Sequence, residues 1–519
     1  MVLRRALPRL SAGAILALAA ALAAALAAAL ALAWPAAADR PPRPNLIYIL
    51  ADDLGYGDIG AYGQDKIDTP NLDRLAADGL VFTQHYAGST VCAPSRAVLM
   101  TGRHTGHVQI RGNYELGGFR DEEERGQMPL DAASTTLAEV LRDTGYRTAL
   151  IGKWGLGGPG STGVPTRHGF DYFFGYLDQK QAHNHYPTHL WRNGARVALD
   201  NRFFIPHATM AGTSARAEDY RRYMGRDYAP DRLIAEALAY IERAKDAPFF
   251  LYYAPTIPHS ALQVPDDRLE RYAGRWRETP LNDGGYTPHP KPRAARAAMI
   301  TTLDADVGRI VDRLDRLGLA RSTLILFTSD NGPAPEGGQD VAFFNASGGL
   351  RGIKRDLYEG GIRVPMIAWW PGVIDGGRRT DHLSAFWDVL PTLADLAGAA
   401  TPDGVDGLSF APLLTGRGDQ AAHDFLYWEF HGDTPHPAQA VRQGKWKAVR
   451  PQPGGYDPTA PIELYHLATD PGERRDVAGQ HPDVVARMRQ LLDGARAPSP
   501  HAGFNFDPED RPRPDLSNP

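Results

Sequence analysis

Cysteine is all but absent from this chain: Cys92 is the only one in 519 residues. No internal disulfide can form, and an oxidising compartment would give Cys92 no partner. A thiol kept under those conditions points to special chemistry. An excess of basic charge is also missing, since the formal net charge is -5. Beyond the first 38 residues, 53 basic face 61 acidic side chains. That balance argues against a nucleic-acid partner. It leaves an anionic substrate open, because a pocket can be locally positive inside an acidic protein. No internal repeat occurs, and neither the charged fraction nor the aromatic content marks disorder. The length predicts one large domain and a smaller one.

What is present begins with an export segment. Residues 1–38 carry Arg4, Arg5 and Arg9, then an alanine–leucine run from about Ser11 to Leu32, then Ala36-Ala37-Ala38 as a cleavage site. The expected location is secreted or periplasmic. The run is also long enough to span a bilayer, so an uncleaved N-terminal membrane anchor is the alternative. Only in that case is a membrane a partner.

Four short apolar runs end in polar residues. Asn45–Leu50 leads to Asp52 and Asp53. Arg147–Ile151 leads to Lys153, Pro248–Ala254 to Pro258-His259, and Ser322–Thr328 to Asp330-Asn331. Runs of this kind read as buried parallel strands, and open α/β sheets bind ligands at the strands' carboxyl ends. Adjacent carboxylates repel unless a cation holds them. Aspartate and asparagine supply oxygen ligands suited to calcium or magnesium rather than zinc. Cys92-Ala93-Pro94-Ser95-Arg96 precedes Met100-Thr101-Gly102-Arg103. Pro94 suits a first helical turn and Gly102 a helix end. Cys92 is expected just outside that helix, with Arg96 turned toward the same place as an oxyanion fork.

Here the chain resembles the type I sulfatases, formylglycine-dependent members of the alkaline phosphatase superfamily. The match runs through Cys92–Arg103, Asp52–Asp58, Gly152–Trp154, Pro258-His259, Asp330–Gly332 and Leu350–Pro365. The resemblance covers about residues 43–490. It implies a sulfuric ester hydrolase in which Cys92 is oxidised to formylglycine, whose hydrate is the nucleophile. It implies Cys92, Arg96, Lys153, His259 and Lys354 as catalytic residues. Asp52, Asp53, Asp330 and Asn331, with residue 92, are the implied ligands of a calcium ion, magnesium being the alternative. The implied partners are a sulfated carbohydrate and a maturing enzyme, either formylglycine-generating or anaerobic sulfatase-maturing. Two other readings stay open: a phosphonate or phosphate diester hydrolase, and a silent protein that binds sulfated glycans.

One family residue is missing. Relatives read Lys-Trp-His-Leu-Gly where this chain has Lys153-Trp154-Gly155-Leu156-Gly157. His183 and His185, in Gln181–Pro187, are the nearest candidates and are read as substrate-binding. A surface loop or a metal site are the other readings of that cluster, though its spacing fits no zinc motif. Glu359 and Arg363 are expected to brace the Lys354 loop.

The predicted fold is α/β: a large mixed, mostly parallel sheet between helices, as in alkaline phosphatase, with a small C-terminal antiparallel sheet and one helix. The expected domains are 39–415, catalytic, and 416–497, the small unit, followed by a loosely ordered tail at 498–519.

Overall fold

The apolar run Asn45–Ala51 splits by side-chain alternation. Leu46, Tyr48 and Leu50 enter one core, and Ile47, Ile49 and Ala51 enter another. A strand apolar on both faces needs cover on both sides, which produces a layered architecture. The computed structural model describes residues 43–207, 217–280, 285–431, 438–452, 457 and 459–506. The expected export segment at 1–38 lies outside the described residues. Within them no helix is long and apolar enough to cross a membrane.

The strands are β1 (Asn45–Ala51), β2 (Leu80–Tyr86), β3 (Arg147–Lys153), β4 (Tyr172–Tyr176), β5 (His189–Arg192), β6 (Ala195–Ala198), β7 (Phe249–Ala254) and β8 (Thr323–Ser329). They continue as β9 (Arg363–Trp369), β10 (Arg378–Thr380), β11 (Ser384–Ala385), β12 (Leu426–Phe430), β13 (Ala438–Gln443), β14 (Trp446–Pro451) and β15 (Glu463–His466). The main sheet runs β10-β2-β9-β8-β1-β7-β3-β4-β5-β6, with β11 beside β2. Strands β8, β1, β7, β3 and β4 are parallel, whereas β9 is antiparallel to both β8 and β2. The mixed, mostly parallel sheet expected from the sequence is therefore present.

Register aligns the ends that matter. Ala51 pairs with Ser329, and Gly152 pairs with Ala254. The residues following β8, β1, β7 and β3 consequently emerge side by side along one edge. Helices Pro70–Ala77, Ala229–Ala244 and Pro292–Arg316 cover one face of the sheet. Helices Cys92–Thr101, Leu137–Asp143 and Val389–Ala397 cover the other. Proline opens several of these helices, where its missing N–H costs no hydrogen bond.

Strands β12-β13-β14-β15 form a separate antiparallel sheet. Helix Pro482–Gly494 packs on it through Val484, Met488 and Leu492. The chain from Pro44 onward makes one compact unit. Residues 498–506 are packed rather than loose: Phe504 and Phe506 are buried, and both rings lie against His431. Two prolines and a glycine interrupt that stretch, but two aromatic side chains suffice to dock it.

Candidate active site

Cys92 lies inside the helix Cys92–Thr101, as its first residue, with Val91 as the N-cap. The sequence reading placed it just outside. Every residue of this helix is buried, so it is a core element on all sides. Gly102 ends it with φ 66°, a left-handed conformation that favours glycine. The Cys92 thiol faces the β1 end, with Sγ 3.4 Å from Asp52 Oδ1 and 3.7 Å from Lys354 Nζ.

The strand ends deliver the charged groups. Lys153 Nζ donates to Asp52 Oδ2 at 2.7 Å. Lys354 Nζ donates to both oxygens of Asp53, at 2.7 and 2.8 Å. Arg96 spends its guanidinium on Asp330 Oδ2, at 2.8 and 3.2 Å, and on the Lys153 carbonyl at 2.7 Å. It holds the β8 and β3 ends together rather than standing free as a fork. Asn331 donates through Nδ2 to Asp53 Oδ1 at 2.7 Å, and its own Oδ1 is buried with no partner among the described residues. An orphaned acceptor beside carboxylates is the arrangement expected of an oxygen ligand. The nearest ligand atoms of Asp52, Asp53, Cys92 and His259 all lie within 4.8 Å of one another. This group could hold a divalent metal ion.

Asp53 (φ 64°) and Arg355 (φ 80°) both adopt left-handed backbone without being glycine. Such residues persist only where their surroundings hold them, and they gather at functional sites. Here one anchors Lys354, and the other follows it.

Burial is nearly complete, so charge compensation decides protonation. Burial opposes ionisation of Asp52, but Lys153, Arg96 and Lys354 outweigh it and keep the carboxyl below its ordinary range. For Asp53, Lys354 does the same. Asp330 goes the other way, up to about 6, through burial and repulsion by Asp52. Burial, aided by Asp52, pushes the Cys92 thiol up to about 12. At pH 8 its thiolate fraction is then about 10⁻⁴, against roughly a quarter for a free cysteine. Unmatured protein should therefore react with iodoacetamide at least about a thousandfold slower folded than in denaturant, as followed by mass of the alkylated chain.

His259 donates through Nδ1 to the Ser260 carbonyl, which can only accept. Nε2 therefore carries the lone pair, and it faces Lys354 Nζ at 3.2 Å and Asp53 Oδ2 at 3.4 Å. Burial, and then the nearby lysines against Asp53, hold this imidazole neutral. The proton of the pair rests on Lys354.

The two candidate histidines part company. His185 is fully buried, and both ring nitrogens are occupied: Nδ1 by the Thr256 hydroxyl at 2.9 Å, Nε2 by the His259 carbonyl at 3.0 Å. It offers no atom to a substrate and instead braces the His259 loop. His183 stacks on His259, with centroids 4.5 Å apart, and its Nδ1 meets His207 Nε2 at 2.8 Å. Tyr286 closes this group, 4.0 Å from the His207 ring and 5.9 Å from the His259 ring. The sequence reading missed His207 and Tyr286, which come from loops without a strand-end signal. Gly155 has φ 76°, and a Cβ there would meet Gln179 Oε1 at 3.4 Å. That oxygen is buried and has no hydrogen-bond partner among the described residues. Glu359 braces as expected, accepting from Tyr86, Arg363 and Lys447.

Paired carboxylates able to hold a hard cation, two lysines and a histidine around one buried cysteine define a hydrolase of oxyanion esters, built at the edge of a parallel sheet. The chain belongs to the sulfatase family and is a sulfuric ester hydrolase. Residues 44–399 match the family model "Sulfatase", and residues 352–497 match the model "N-sulphoglucosamine sulphohydrolase, C-terminal". Arylsulfatase A of Homo sapiens is 37% identical over 495 residues, covering 89% of each chain. Among solved structures, Ps i-CgsB in complex with k-i-k-neocarrahexaose is similar, with TM-score 0.70 and 27% identity over 88% of this chain and 93% of that one. A sulfatase described under the metabolism of multiple glycosaminoglycans by Bacteroides thetaiotaomicron has TM-score 0.68 and 28% identity, over 88% and 99%.

Proposed function

We propose that this sulfatase is exported, matures Cys92 to formylglycine, and removes sulfate from a carbohydrate. The ligands we assign to a calcium ion, with magnesium as the alternative, are Asp52, Asp53, Asp330, Asn331 and residue 92. When present, the cation withdraws charge from sulfate oxygens and the formylglycine hydrate supplies an oxygen nucleophile. The observation that carries this reading is the position of Cys92 Sγ between Asp52 and Lys354, beside the orphaned Asn331 Oδ1.

The protein's own groups take the following parts. Three carboxylates (Asp52, Asp53, Asp330) face three fixed cations (Arg96, Lys153, Lys354), so the shell is neutral before a divalent ion enters. Adding that ion leaves a net positive pocket suited to a sulfate monoester. Lys153 and Lys354 contact the sulfate, and Arg96 fixes the Asp330 carboxylate. Lys354, with its proton directed at His259 Nε2, supplies that pair's proton to the departing alcohol oxygen. His183 contacts the sugar, and His185 holds the backbone that carries His259. Gln179 occupies the place of the family histidine lost at Gly155. Because Cys92 is fully buried, the maturing enzyme must reach it before the chain folds. The carbohydrate reading draws on the neocarrahexaose held by one structural relative and on the glycosaminoglycan metabolism named for another.

The test is the mass of the Cys92 peptide from protein made with its maturing enzyme, together with sulfate release from a sulfated galactan. A formylglycine mass, release of sulfate, and a rise in unfolding temperature on adding calcium are expected. At a calcium concentration a hundredfold over its Kd, that stabilisation is about 2.7 kcal/mol. An unmodified thiol despite the maturing enzyme would overturn the reading.

A further inference from the structure

A cavity of about 440 Å³ opens between β2 of the main sheet and the β13–β14 turn of the small sheet, apart from the carboxyl-end site. Arg363, Arg442 and Lys445 line it, against one acid, Asp381. Arg442 is only 5% exposed, yet among the described residues no hydrogen bond joins it directly to a carboxylate; Glu359 acts on it across the Tyr86 hydroxyl. Its Nε donates to the Gly444 carbonyl at 3.1 Å, and its terminal nitrogens donate to the Tyr86 hydroxyl and to Gln84 Oε1. Among the described residues, two of its five N–H groups have no acceptor. Arg363 has the same surplus, after two bonds to the Thr83 carbonyl and one to Glu359. Lys445 is exposed; its carbonyl accepts from the Leu467 N–H at 2.8 Å, and its ammonium lies over the Trp446 ring.

A buried guanidinium whose direct partners are neutral oxygens keeps donors to spare for an anion. Cations approaching from β9, from β13 and from the turn offer donors from three directions. That geometry suits a tetrahedral oxyanion better than a planar carboxylate, which one arginine fork satisfies alone. The volume falls in the range that holds a ligand of sugar size, well above a bare ion. Leu383 and Leu467 line the same cavity and give a sugar ring's C–H face an apolar surface.

We propose that this cleft is a second, non-catalytic site for a sulfated saccharide unit, with the sulfate held by Arg442, Arg363 and Lys445 and the sugar ring against Leu383 and Leu467. The choice of saccharide rests on the carbohydrate reading above; the anion chemistry does not. On a polymer, such a site anchors one sulfated unit while another is processed, and the two contacts reinforce each other through effective concentration.

The test uses matured enzyme with Lys445→Glu and, separately, Arg442→Gln. Turnover of a small aryl sulfate should stay within about twofold of wild type in both variants. Retention in a gel containing a sulfated galactan should fall about tenfold, and a desulfated galactan should retain neither variant nor wild type. Retention by the sulfated polymer without sulfate release from it would sink the carbohydrate-sulfatase reading and leave the cleft standing. Unchanged retention in Lys445→Glu, a surface change that the fold tolerates, would overturn the proposal even if Arg442→Gln fails to fold. So would equal displacement by inorganic sulfate and by a sulfated disaccharide, which would assign the cleft to the free ion.

Discussion

Cys92→Ser should abolish aryl sulfate turnover by about four orders of magnitude or more, or some 5.5 kcal/mol of barrier, while the protein still folds. The side chain is buried at the first turn of an all-buried helix, and serine is smaller than cysteine, so packing tolerates the change. Serine also keeps an oxygen beside Asp52 and Lys354, where attack on sulfur remains feasible. It lacks the second hydroxyl of an aldehyde hydrate. A sulfate ester formed on serine must then wait for water, in a pocket whose groups are arranged for a different exit. The informative readout is the mass of the intact variant after exposure to substrate: a stoichiometric sulfated serine is expected. Full turnover by Cys92→Ser would show that residue 92 needs no aldehyde.

That prediction rests on how the strand ends converge, and much of the convergence was legible beforehand. Each of β1, β3 and β8 reads as an apolar run that breaks into a charged or amide residue. Such a run has one stable placement, buried between two layers, and its polar exit must fall at the sheet edge. The same logic carried His259, five residues beyond β7. Directions of side chains inside the site were less legible. Arg96 lies one turn from Cys92, and spacing alone allows it to face the ligand. The structure turns it onto Asp330 because a buried carboxylate next to Asp52 needs a cation of its own. His183 and His185 lie two residues apart in a loop, where no periodicity says which one faces inward. Thr256 and the His259 carbonyl captured His185, and both belong to a segment over 70 residues away. Gly155 illustrates a different limit. Its loss of a side chain is plain in the sequence, but Gln179 beside it is found only in space.

Lys354→Ala and His259→Ala should each lower kcat for an aryl sulfate by about a thousandfold, or some 4 kcal/mol, and the double variant should lose little more. The non-additivity follows from the geometry. His259 Nε2 has no proton of its own and accepts from Lys354 Nζ, so either deletion breaks the same proton path. The two variants differ in stability. Removing Lys354 deprives the buried Asp53 of its closest cation, which costs about 3–5 kcal/mol when no metal is present. Removing His259 takes away a neutral ring and leaves the Lys354–Asp53 pair intact. The pH dependence separates them further. Lys354 stands well above its ordinary range, since Asp53 and the Cys92 side chain outweigh burial. Its stabilisation is therefore complete below the usual lysine range and disappears only as pH rises through the elevated value. In wild type and His259→Ala the Lys354 contribution to thermal stability should stay constant from neutral pH up to about 10, the ordinary lysine value. Lys354→Ala, with Asp53 uncompensated, should instead gain stability as pH falls and that carboxylate takes up a proton. A Lys354→Arg variant restores the charge without matching the ammonium geometry, so it should recover stability but not turnover. Additive losses in the double variant would separate the two residues and assign the proton to some other group.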